Sequence, residues 1–103
     1  MSKLTITKKQ ENETLNVTVA GRVDTGTAPN LNSEVEKSIG GVKKIVLNFE
    51  KVEYISSSGL RVLLSLHKTI IANGGELIIR KPIDTVIEVF DVTGFTDILN
   101  IEK

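Results

Sequence analysis

The chain has 103 residues, 40% of them apolar and 25% charged, which is the balance of one folded soluble domain over residues 1–103, not of a disordered segment or a fibre. Thirteen basic residues cancel thirteen acidic ones and aromatics make up 4%, so there is neither a net field toward nucleic acid or an anionic membrane nor a stacking platform for bases. Cysteine is absent, which excludes disulfides, thiolate nucleophiles and zinc–thiolate sites together and fits a reducing, cytoplasmic compartment.

MSKLTITKKQ alternates apolar and polar residues without the continuous apolar run of a secretory signal. No stretch approaches the roughly 20 apolar residues of a membrane span. Leu4 and Ile6 alternate with polar neighbours, as do Leu15, Val17 and Val19 after the polar run KKQENE, which predicts an antiparallel hairpin with one buried face. In APNLNSEVEKSI, Leu31, Val35 and Ile39 fall at helical spacing, with Pro29 where a helix start tolerates it. Gly40 and Gly41 then stop that helix. KKIVLNF brings Ile45, Val46, Leu47 and Phe49 almost without alternation, as in a strand of a parallel sheet.

A second helix is predicted after the serines of YISSSGLRVL, with Leu60, Leu63, Leu64, His67, Ile70 and Ile71 on its sheet-facing side and NGG at 73–75 ending it. ELIIR reads as another buried strand. Ile83, Val86, Ile87 and Phe90 mark a third helix that Gly94 closes, and a short strand lies around Ile98 to Ile101. Two opening strands followed by alternating helices and strands predict an α/β fold, a mixed and mainly parallel sheet with the N-terminal hairpin at one side and helices packed on it.

Chemistry narrows at Ser56, Ser57 and Ser58. A nucleophile elbow of the form G-x-S-x-G fails, because Ile55 stands where its first glycine belongs. The single histidine, His67, lies ten residues beyond Ser57 on the same predicted helix, about 15 Å away, and cannot act as its general base. Histidine and carboxylates are not clustered at metal-ligand spacing, and IGGVKK joins a helix to a strand, the reverse of a phosphate-binding P-loop. No cofactor is expected. The serines open a helix, where a hydroxyl can cap unpaired backbone N–H groups. A phosphoacceptor or anion site is the alternative use, since a phosphate there suits the positive helix end while a partner surface would meet a bulky dianion.

At these residues the chain resembles the STAS-domain family, in particular the small bacterial anti-sigma factor antagonists. The likeness is carried by AGRVDTGTAPNL at 20–31, IVLNFEKVEYISSSGLRVLL at 45–64, NGGEL at 73–77 and VFDVTGF at 89–95. It implies a non-enzymatic protein that binds an anti-sigma factor with serine protein kinase activity, frees a sigma factor, and loses that binding when the kinase phosphorylates it. Free of its partner, the chain is expected to be a monomer. The family's usual D-S-[ST]-G-L aligns so that Ser56 takes the aspartate's place and Ser57 the phosphoacceptor's. Asp24 matches the aspartate of the family's G-x-[LV]-D loop, for which a turn-and-cap role is the structural alternative.

The expected partner-binding residues are therefore Asp24, Thr25, Ser56, Ser57, Ser58, Gly59 and Arg61, with Gly59 thinning the surface. Helical spacing adds Val62 and Leu66, four apart on the flank of the second helix, as an apolar docking patch, the alternative being that both widen the buried stripe. The runner-up function within the same fold is a non-phosphorylated scaffolding domain that holds an anion or nucleotide at the helix N-terminus.

Overall fold

A computed structural model describes residues 3–103. Leu4–Glu11 forms β1 and Thr14–Val23 forms β2; Ala28–Glu36 is α1, Lys44–Ile55 is β3, Ser57–Ala72 is α2, Glu76–Arg80 is β4, Asp84–Thr93 is α3 and Asn100–Glu102 is β5, with a 3-10 turn at Phe95–Asp97. The sheet runs in chain order, β1-β2-β3-β4-β5, with β1 antiparallel to β2 and every later pair parallel. The α/β class, the hairpin at one side and the mainly parallel sheet are those the sequence predicts. Among the described residues, no helix is long and apolar enough to cross a membrane.

The strand pairing aligns one row of inward side chains across the sheet. Leu15 stands beside Ile45 and Val17 beside Leu47, and these continue to Leu77 and Ile79 of β4. All are buried, and they join Leu31 and Val35 of α1, Leu63, Leu66 and Ile70 of α2, and Val86 and Phe90 of α3 in one apolar cluster. Val46 and Ile78, pointing the other way, are buried but stand outside that cluster. Parallel strands added in chain order through right-handed crossovers place their helices on one face of a sheet, as this single cluster requires.

β3 is longer than KKIVLNF. Pairing with β2 slips between Thr18↔Asn48 and Ala20↔Lys51, and again between Gly21↔Val52 and Arg22↔Tyr54. At each slip β3 spends one residue more than β2. These bulges bend and re-aim a strand, and they move the inward positions from Phe49 to Val52 to Ile55, all buried. They carry the strand out to the serines.

Several sequence expectations are corrected. α1 ends at Glu36, ahead of the glycines, and Ile39 packs on the core from the following turn. The face of α2 is rotated from the predicted stripe: Gly59, Leu60, Leu63, Leu66 and Ile70 are buried, Leu64 and His67 are only half-buried, and Ile71 is 51% exposed. Ile83 lies outside α3 as its N-cap residue and is exposed. Ile98 and Leu99 precede β5 rather than opening it. Gly94, at φ +81°, closes α3 as predicted, a left-handed conformation that glycine adopts without steric cost.

Candidate functional site

Two chain crossings meet where β2 and β3 end. After β2 the chain turns through Asp24–Thr27 into α1, and after β3 it turns through Ser56 into α2. Ser56 N donates to Val23 O at 2.8 Å, so the two crossings are tied at their base. Above that tie Thr25 Oγ1 and Ser58 Oγ share a hydrogen bond at 3.3 Å.

The three serines have three different situations. Ser56 is the N-cap of α2, in extended conformation, and its Oγ accepts from Gly59 N at 3.3 Å. Its carbonyl takes Leu60 N at 3.0 Å. Serine and aspartate cap about equally well, so serine in the aspartate's place keeps the cap and removes a negative charge. Ser58 is half-buried and engaged with Thr25. Ser57, first residue of the helix, is exposed; among the described residues its hydroxyl makes no hydrogen bond with the protein.

Gly59 is buried, not a surface feature. A Cβ at this position would lie 2.7 Å from both Ile55 Cγ1 and Val23 Cγ1 and 3.2 Å from Val23 O. Absence of a side chain lets the first turn of α2 press onto the ends of both strands. That is a reason internal to the fold, and Gly59 is removed from the contact surface.

Asp24 holds the turn: its Oδ1 accepts from Gly26 N at 3.0 Å and from Thr27 N at 3.1 Å, while Thr27, the N-cap residue of α1, has no side-chain cap hydrogen bond. Thr27 completes the loop, its Oγ1 donating to Arg22 O at 2.6 Å and accepting from Asp24 N at 2.9 Å. The loop next to the serines is thus held by its own hydrogen bonds. Thr25 remains exposed beside them.

Along α2, Arg61 is exposed, Val62 is half-buried and packs against the core, and Leu66 is 1% exposed. The proposed apolar docking patch therefore does not exist as a pair. Leu66 is inside, and Val62 shows only its outer edge. From its first turn the helix offers outward the exposed polar stripe of Ser57, Arg61, Ser65 and Lys68, with Ile71 exposed near its far end.

Spacing alone did not reveal Arg22 and Tyr54. They are cross-strand partners at the rim of the same corner, with the Arg22 guanidinium 4.3 Å from the centroid of the Tyr54 ring, within cation–π range. Tyr54 is 40% exposed. The one tyrosine in the chain was a visible signal, but the bulges in β3 hid which way it points.

The STAS domain family model matches residues 5–103. A putative anti-sigma factor antagonist, BtrV, from Bordetella bronchiseptica is 35% identical over 79 residues, covering 76% of this chain and 68% of that protein. The anti-sigma-B factor antagonist of Listeria monocytogenes is 31% identical over 99 residues, 93% of this chain and 85% of its own. In fold the chain is similar to the phosphorylated form of the Bacillus cell fate determinant SpoIIAA, with a TM-score of 0.75 over 96% of this chain and 92% of that one at 22% identity.

Proposed function

The chain belongs to the STAS-domain family, and from that premise we propose that it is an anti-sigma factor antagonist whose binding is switched off by phosphorylation of Ser57. Its partner is an anti-sigma factor with serine kinase activity, which it holds through the corner of Thr25, Ser57, Ser58 and Arg61, so releasing a sigma factor. It works as a cytoplasmic monomer, by contact and not by catalysis. Asp24 and Ser56 shape the corner from beneath.

The observation that carries Ser57 is the division of labour among the hydroxyls. Ser56 serves the cap and Ser58 is paired with Thr25, whereas Ser57 is exposed and, among the described residues, unengaged. A kinase needs an acceptor that it can reach without dismantling a helix start. The added phosphate brings about −1.5 to −2 charge to a helix N-terminus, which tolerates it. A partner packed over the corner does not.

Affinity for the anti-sigma factor kinase that the chain binds tests this directly. Ser57→Asp is expected to weaken binding at least tenfold, about 1.4 kcal/mol, with an unchanged far-UV spectrum. Binding as tight as the parent's by Ser57→Asp and by chain phosphorylated at Ser57 refutes the switch. An anion- or nucleotide-binding domain would instead bind its ligand through backbone N–H groups and survive Ser57→Ala.

A further inference from the structure

A phosphate on Ser57 would find a partner on its own helix. Arg61 is four residues on, one turn away, where Cβ atoms lie about 5–6 Å apart on the same side. Both residues are exposed. Among the described residues Arg61 has no ion pair and no hydrogen bond from its side chain, so its guanidinium is uncommitted. From the facing loop, Asp24 directs its Oδ1 to Gly26 N and Thr27 N, and Thr25 offers only a hydroxyl.

An acidic group N-terminal to a basic one at this spacing is the favoured order on a helix. A phosphate dianion and the arginine fork can form paired charge-assisted hydrogen bonds. We propose that Arg61 captures the phosphate of phosphorylated Ser57 in cis. The modification then does two things at once: it places a dianion on the docking corner and withdraws the one uncommitted guanidinium that the exposed stripe of α2 offers a partner. Arg61 is thus a latch for the off state. This rests on Ser57 being the modified residue, as proposed above.

Phosphoserine incorporated at position 57 during translation, with no kinase needed, allows a direct test. Phosphorus NMR follows the second ionisation of the phosphate in the otherwise unaltered chain and in Arg61→Gln and Lys68→Gln. Capture by Arg61 lowers the midpoint by about half a pH unit relative to Arg61→Gln, which corresponds to about 0.7 kcal/mol, and Lys68→Gln leaves it unchanged. An equal midpoint with and without Arg61, or an equal effect from Lys68→Gln, overturns the latch. A kinase that fails to label Ser57 would count against the proposed function and not against this measurement. A missing midpoint shift would remove the latch and leave the switch standing.

Discussion

Gly59→Ala probes how tightly the serine corner is built. The added methyl would meet Ile55 Cγ1 and Val23 Cγ1 at 2.7 Å and Val23 O at 3.2 Å. The first two atoms belong to β-branched side chains that are 2% and 0% exposed, and such side chains have little rotamer freedom with which to yield. Overpacking of this kind costs about 1–3 kcal/mol. Against it stands the gain of alanine over glycine in a helix, at most about 1 kcal/mol and less in a first turn. The net expectation is a loss of about 1–2 kcal/mol, and near 100 residues each kcal/mol lowers Tm by about 4–8 °C. Urea unfolding of Gly59→Ala beside Ser65→Ala, an exposed position on the same helix, isolates the clash from propensity. If Gly59→Ala is as stable as the parent or more so, the first turn of α2 is not pressed onto the strand ends and the geometry of the corner is wrong.

Leu66→Ala should cost about 2–5 kcal/mol in urea unfolding, because Leu66 is 1% exposed within the core; a near-neutral result would return it to the surface. Ser56→Ala removes the cap on Gly59 N and should cost about 1 kcal/mol, while Ser57→Ala, with no hydrogen bond to lose among the described residues, should change stability by less than about 0.5 kcal/mol. Hydrogen bonds from Lys37 and then Lys8 hold the Glu34 carboxyl below its ordinary range. A depressed carboxylate contributes stability above its unfolded value and loses it as pH falls through the lower folded one, so in an NMR titration Lys37→Gln should raise the Glu34 midpoint, and an unmoved midpoint would refute the pairing.

The order of elements was legible because each carries a local signature. Alternation marked the hairpin, Pro29 the start of α1, and Gly94 the end of α3. The face of α2 was not, and the reason is Gly59. Hydrophobic spacing scores side chains, and a glycine has none, so the predicted stripe of Leu60, Leu63, Leu64, His67, Ile70 and Ile71 has Leu60, Leu63 and Ile70 right but is centred too far toward Leu64, His67 and Ile71. Once Gly59 counts as a contact, the buried positions 59, 63, 66 and 70 fall at i, i+4, i+7 and i+11, and Leu66 moves inside. The upper half of β3 was obscured for another reason: inward residues at 49, 52 and 55 are three apart, not two, because two bulges intervene. That spacing hides a strand and with it the outward stack of Tyr54 on Arg22. At the serines, the sequence left cap, anion site and phosphoacceptor open. The fold separates the three hydroxyls without choosing among those uses: one accepts from Gly59 N, another pairs with Thr25, and among the described residues the third has no hydrogen bond.

Mapping the phosphate tests the central claim most directly. The chain is incubated with ATP and the serine kinase that binds it, and the product is digested and sequenced by mass spectrometry. One phosphate per chain is expected, on Ser57, absent from Ser57→Ala and accompanied by loss of the complex. Label on Ser56 or Ser58, or a complex that persists with Ser57 fully phosphorylated, would contradict it.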